Sequence, residues 1–206
     1  MSLKVAPCEH KAADFAVKNW HYSKRMPIGK LILFGVWENE KFIGSVMFGR
    51  GASNNLGSPY GLTQTEVCEL VRVALTNHKA PVTQIVSECL KEFKRTNPNM
   101  RLVVSYADPE QNHVGVIYQA GNWLYSGQSP SDVQHYYQGK WYHSRMLRPS
   151  GFGTHTSLSR MTKEQQKALP KKVIKGKHRY LYPLDKQMRR RLEKIALSYP
   201  HAVQGS

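Results

Sequence analysis

The stretch Arg101–Asn122, RLVVSYADPEQNHVGVIYQAGN, decides how the rest of the chain is read. Residues 102–106 form a short apolar, β-branched run that predicts a buried strand. Ala107-Asp108-Pro109 ends it, because proline brings no N–H to a ladder and holds the preceding residue extended. A short helix is expected over 111–120, closing on Gly121. An acid at the mouth of a strand, followed by a helix bearing Asn112, His113 and Tyr118, is where α/β proteins place chemistry. Asp108 is therefore read as pointing outward at the carboxyl end of the strand.

Upstream, 69–75 reads as a strand, and Ala80-Pro81 opens a helix reaching about Arg95. Its apolar face is Ile85, Val86, Cys89, Leu90 and Phe93. Residues 31–38 and 41–49 form a hairpin turning at Asn39-Glu40. The chain begins with a short strand, LKVAP, and a helix over 9–19; the Gly/Ser/Asn-rich 50–61 is a loop. Downstream, 123–126 is another strand, 129–138 is polar and tyrosine-bearing, and 140–143 is one strand of a small hairpin. A loop is expected over 149–153, a helix capped by Thr162 over 161–169, an extended segment over 180–183 and a basic helix over 186–197. This order describes a mixed α/β, α+β-like fold. The expected division is a core over 1–128 and a basic C-terminal extension over 129–206 packed on it, for contact with DNA.

Thirty Lys and Arg against fourteen Asp and Glu give a net charge of +16. Residues 160–206 carry thirteen basic and three acidic side chains, so most of the excess lies in the tail. Such asymmetry points to a polyanion, here nucleic acid. No uncharged apolar run reaches the roughly 18 residues of a membrane span. The first thirty residues lack the apolar core of a signal peptide, so a cytoplasmic protein is expected. Cys8, Cys68 and Cys89 are too few and too scattered for a disulfide framework or a cysteine zinc site.

Four constellations carry candidate chemistry. His21 and Tyr22, at the end of the first helix, suit stacking, proton transfer or metal ligation, or simply a boundary pair with wet polar tips. Asp108 and Tyr118 join them in a set of one imidazole, one carboxylate and two phenols, which suits iron better than zinc. The turn NHKAPVT, with Val73, Asn77, Lys79, Ala80 and Val82, stands where backbone N–H groups at a helix start receive a pyrophosphate. It lacks the glycines such a loop uses, which speaks against acyl-CoA. Arg50, Arg72, Lys175, Lys177, Arg179, Arg189, Arg190 and Arg191 are the candidate phosphate contacts. Tyr106, Trp123, Tyr125, Tyr180 and Tyr182 are the candidates for stacking on bases.

The segments WHYSKRMPIGKLILFGVWENEKFIGSVMFGRGASNNLG, YGLTQTEVCELVRVAL and VVSYADPEQNHVGVIYQAGNWLYSG resemble the Mom family of bacteriophage DNA-modification proteins. The likeness continues more loosely through GKHRYLYPL. It implies a GNAT-like acyltransferase fold, with a central, mostly antiparallel splayed sheet flanked by helices. It also implies conversion of adenine in double-stranded DNA to an N6-carbamoylmethyl derivative that protects DNA from restriction. The family quartet falls on His21, Tyr22, Asp108 and Tyr118, with iron as the associated metal. Expected partners are double-stranded DNA and no membrane; a homodimer is allowed. The competing readings are an acyl-CoA-dependent N-acyltransferase acting on a small amine or protein, and a non-catalytic DNA-binding protein.

Overall fold

The computed structural model describes residues 2–51, 54–149 and 156–201. The chain forms two compact units: Met1–Ala107, Val114–Gly127 and His178–Ser206 make the larger, Asp108–His113 and Gln128–Lys177 the smaller.

The larger unit is built on a seven-stranded sheet. With strands numbered in chain order, these are β1 (Leu3–Pro7), β2 (Leu31–Glu38), β3 (Lys41–Gly49), β4 (Val67–Leu75), β5 (Leu102–Ala107), β6 (Leu124–Gln128) and β10 (His178–Pro183). They lie side by side as β1-β2-β3-β4-β5-β10-β6. The β2–β3 hairpin falls where the sequence places it. Asn39 (φ 47°) and Glu40 (φ 66°) both take the left-handed conformation that suits a two-residue hairpin turn. β4 and β5 are parallel, and only Val67–Leu102, Cys68–Val103 and Glu69–Val104 pair before the strands separate. This is the splay expected of the sheet. Ser105 Oγ spans the opening, donating to the Leu70 carbonyl at 3.0 Å and sharing a second hydrogen bond, 2.8 Å long, with the Tyr118 hydroxyl.

Helices cover both faces. α2 (Val82–Thr96) buries Ile85, Val86, Cys89, Leu90 and Phe93, spaced as one helical stripe. Phe93 stacks on Phe48 of β3 at 4.5 Å. On the opposite face, α1 (His10–Trp20) sets the small residues Ala13, Ala16 and Val17 against Met47 and Ala74. Also opposite α2, α6 (Lys186–Glu193) packs Met188 and Leu192 on Leu102, Val104 and Leu181.

Three expectations are corrected. The single helix over 111–120 is instead a 3-10 turn at Pro109–Gln111 followed by the short α3 (Val116–Ala120). Asn112 (φ 55°) and Gly115 (φ 81°) enter the left-handed region and interrupt the helix. A Cβ on Gly115 would lie 2.3 Å from the Tyr180 ring, so only glycine fits there. Secondly, the chain after residue 128 is not one extension: Gln128–Lys177 belongs to the smaller unit and His178–Ser206 to the larger. β10 lies between β5 and β6 and pairs with β5 from His178–Ala107 to Pro183–Leu102, which makes the end of the chain part of the main sheet. Thirdly, the last helix stops at Glu193, and Leu197 forms an isolated bridge to Tyr125.

The smaller unit holds the antiparallel sheet β8-β7-β9, made of β7 (Asp132–Tyr137), β8 (Lys140–His143) and β9 (Lys171–Ile174). It also holds α4 (Thr156–Ser159) and α5 (Lys163–Ala168). Thr162 caps α5 in a reciprocal box with Gln165. The lysine-rich β9 carries no strand signature. Of the loop expected over 149–153, residues 150–153 lie outside the described residues, as do 52 and 53 of the 50–61 loop. No helix among the described residues is long and apolar enough to cross a membrane.

Phe93 is fully buried between α2 and the sheet. Phe93→Ala is expected to cost about 3–5 kcal/mol, read as a lower urea midpoint at unchanged slope.

Candidate active site and nucleic-acid surface

His21 and Tyr22 leave the end of α1 side by side. The His21 amide still donates to Val17 of the helix at 3.2 Å, while its backbone has turned extended. The two rings lie 4.3 Å apart. His21 Nδ1 accepts from the Ser23 amide at 3.1 Å and is 2.8 Å from Ser23 Oγ. In the neutral tautomer that satisfies this amide, the proton sits on Nε2, so the ring presents a donor. Tyr22 is 59% exposed, a large aromatic face in solvent beside the imidazole.

Tyr118 comes from α3 and is buried. Burial pushes its phenol up to about 12; the Ser105 hydrogen bond opposes the shift, and Glu69 and Tyr22 add to it. Both of those residues therefore lie within electrostatic reach of the Tyr118 hydroxyl, and His21 lies beside Tyr22.

Glu69 belongs to this group and went unnoticed in the sequence. It is the last residue of β4 to pair with β5. It also faces Tyr106, whose phenol is pushed up by burial, with Arg179 lowering it and Glu69 and Tyr60 raising it. The loop after β3 closes on Glu69, since a Cβ on Gly51 would come 2.7 Å from Glu69 Oε2. The available signal was a lone acid inside the apolar run ELVRVAL. Arg72, three residues on, follows the irregularity in β3–β4 pairing that leaves Val71 unmatched. Its Nη1 donates to the Val71 carbonyl at 2.7 Å, and its Nε is buried with no hydrogen-bond partner.

Asp108 belongs to the smaller unit. Its carboxylate accepts from the Glu110 amide at 3.1 Å and pairs with Lys177 Nζ at 2.9 Å. It caps the 3-10 turn and meets one of the expected phosphate contacts. His21 Nδ1 is engaged by Ser23, which leaves Nε2 as the ring nitrogen a metal could take, and burial raises the Tyr118 phenol, whereas ferric iron prefers a phenolate. Among the described residues no three His, Cys, Asp or Glu side chains group as metal ligands. No chemical step is routed through iron.

The turn before α2 is already engaged. The Lys79 amide donates to both Glu38 oxygens at 3.1 and 3.0 Å, and the Ala80 amide to Oε1 at 2.7 Å. These bonds, Ala80 first, hold the Glu38 carboxyl below its usual range. An internal carboxylate thus occupies amides that a pyrophosphate would use. Val73, Asn77 and Val82 flank this turn in chain order.

The basic residues fall into separate places. Lys186, Gln187, Arg190, Arg191 and Lys194 line an open groove of about 550 Å³ along α6. Arg189 instead donates to the Asn122 carbonyl at 3.1 Å and pairs with Glu193 at 3.6 Å. Arg179 donates to the Tyr60 hydroxyl at 3.3 Å, and its Nε is buried without a partner. Arg50 and Lys175 are exposed. Three stacking candidates are corrected: Trp123, Tyr125 and Tyr180 are buried, with Tyr125 bonded to His178 Nδ1 at 2.9 Å. They are core residues because β6 and β10 belong to the main sheet. Tyr106 and Tyr182 are half-buried.

Two measurements follow from this geometry. The Tyr118 phenol ionises near 10 in an unfolded chain and about 12 here, so the stability it contributes is complete below pH 10 and is lost as pH rises toward 12. Wild-type stability should fall more steeply across that window than that of Tyr118→Phe. Glu38→Ala frees the two turn amides, and its affinity for CoA, measured by calorimetry, should exceed that of the wild type. Equal affinities exclude these amides as a pyrophosphate site.

Comparison with known proteins supplies the wider context. The chain is 25% identical over 194 residues to the methylcarbamoylase mom of Escherichia phage Mu, covering 92% of this chain and 79% of that protein. A probable acetyltransferase from Staphylococcus epidermidis ATCC 12228 superposes with a TM-score of 0.49 at 8% identity, over 89% of this chain and 100% of that one. The spermidine/spermine N-acetyltransferase SpeG of Vibrio cholerae, in complex with manganese ions, gives 0.48 at 12% identity, over 91% and 96%. The model of the Mom protein family matches residues 2–201, and the chain belongs to that family.

Proposed function

We propose that this protein modifies adenine in double-stranded DNA, placing a carbamoylmethyl group on N6 and thereby shielding the DNA from restriction enzymes. The observation that carries the proposal is family membership over residues 2–201, together with a phage Mu relative that is a methylcarbamoylase. The net charge of +16 supports a polyanionic substrate. The setting is the cytoplasm of a bacterial cell that carries the phage or prophage.

Adenine N6 is a poor nucleophile because its lone pair is delocalised into the ring. The base must also leave the stack, at a cost of a few kcal/mol. Tyr22, exposed beside His21, offers the departing base an aromatic face. As N6 forms its new bond to carbon, its proton passes to the Glu69 carboxylate, and the donor's leaving group departs with the bonding pair. Tyr118, protonated and tied to Ser105, works as a fixed hydrogen-bonding group rather than as a base. The unpartnered Arg72 Nε is placed to receive an anionic oxygen. Asp108 acts by ordering the start of the 109–113 segment.

The test is to digest DNA from cells expressing the protein and weigh the nucleosides. A carbamoylmethyl-deoxyadenosine is expected from the wild type. Glu69→Gln should lower it by roughly 10²-fold or more, as for loss of a general base, and Tyr22→Ala should also lower it. Unmodified deoxyadenosine from a soluble wild-type protein would overturn the proposal.

A further inference from the structure

The smaller unit holds a feature that the adenine chemistry does not use. The two faces of its sheet differ. Asp132, Gln134 and Tyr136 of β7 point one way, and Val133, His135 and Tyr137 the other, as strand alternation requires. On the second face is a cleft of about 340 Å³, lined at its base by His135, Ser144 and Leu147. Its walls carry Arg148 after β8, Lys163 and Lys167 one turn apart on α5, and Lys171 on β9. The strand pairing sets Lys171 directly opposite His135. Among the described residues no carboxylate lines the cleft. Four cations converging on one hollow repel one another, and neither solubility nor packing requires that arrangement.

The floor points the same way. His135 is only 9% exposed, and its Nδ1 is buried without a hydrogen-bond partner. Burial, then Lys171, holds the imidazole below its usual range, with Asp132 acting the other way, and in the neutral tautomer protonated at Nδ1 the ring has an N–H to give. A buried polar atom left unpaired at the bottom of a cationic hollow is the signature of a missing anionic partner. Its remaining polar neighbour in the floor, Ser144, is spent on the Val133 carbonyl, and Gln166 on the rim donates to the carbonyls of Leu147 and Leu158. The lysines and His135 are left to do the recognising.

We propose that this cleft, formed by His135, Arg148, Lys163, Lys167 and Lys171, binds a backbone phosphate of duplex DNA. The proposal rests on the reading of DNA as substrate. Lysines on flexible stems suit a phosphodiester as point charges, and the neutral imidazole adds a directional hydrogen bond. The contact would be independent of sequence and would serve to hold the duplex while the base is extruded.

The test uses the full chain and a duplex probe, with affinity measured by fluorescence anisotropy over a range of salt. Lys163, Lys167 and Lys171, all exposed, are changed together to Ala. The control changes three exposed lysines of the larger unit, Lys11, Lys30 and Lys41, to Ala, removing equal charge. The cleft variant should flatten the slope of log K against log salt by about one, at roughly 0.9 for the one phosphate no longer neutralised. The control should leave the slope nearly unchanged. His135→Phe keeps a ring and drops the N–H, so it should lose affinity several-fold at an unaltered slope, a pattern that loss of charge cannot produce. Thermal unfolding of each variant verifies that it folds.

A cleft variant indistinguishable from the control overturns the proposal while leaving adenine modification standing. Pyrophosphate binding abolished in the cleft variant, with duplex affinity and slope intact, also overturns it by assigning the cleft to a small phosphate compound. A wild-type protein that fails to bind duplex even at low salt sinks both this proposal and the functional reading beneath it.

Discussion

The larger unit depends on a separation: β4 and β5 pair for three residues and then part. Parallel strands are ordinarily held by an unbroken ladder, so opening one leaves backbone groups that must find other partners. Ser105 takes one of them, the Leu70 carbonyl, and through the same oxygen tethers Tyr118. The wedge is thereby kept open without a backbone acceptor being stranded. Glu69 stands at its apex. A continuous ladder would have closed the space that the Ser105 and Tyr118 side chains now fill.

The elements legible in the sequence were those whose local chemistry agrees with their tertiary setting. The β2–β3 hairpin has apolar strands and a turn that tolerates positive φ. α2 has one apolar stripe and little else for the packing to override. Glu69 was hidden because a strand reading counts apolar positions and passes over the acid among them. β10 was obscured by composition: HRYLYP sits in a basic tail, and only the finished sheet shows Tyr180 and Leu181 to be core. The helix expected after Asp108 failed at Asn112 and Gly115, where backbone conformation outweighs side-chain periodicity. Residue type and resemblance both pointed to the His-Tyr-Asp-Tyr set, and spacing alone could not have shown that Asp108 caps a turn and pairs with a lysine.

The charge imbalance also has a structural side. Several of the few carboxylates are consumed within the fold. Glu38 binds the turn before α2. Glu66 accepts from the Thr63 amide and hydroxyl. Asp185 caps α6 through Met188 and also pairs with Arg101 at 2.9 Å. Each of these acids is held below its usual pKa, chiefly by hydrogen bonds: for Glu38 and Glu66 from the backbone, for Asp185 from Arg101. Acids spent on capping and turn geometry do not neutralise the surface, so the cations along α6 and in the smaller unit keep an uncompensated field toward a polyanion.

The position of β10 has a consequence for how the protein comes into being. β5 has β4 on one side for only three residues, and its other edge is filled by a strand that begins at His178. Until that segment leaves the ribosome, β5 carries an open edge beside a half-built core, the state most prone to pairing with another chain. The smaller unit is synthesised during this interval, between β6 and β10. A nascent chain therefore cannot close its main sheet until His178–Pro183 has been made, and truncation before residue 178 should yield an aggregating polypeptide rather than a smaller folded protein.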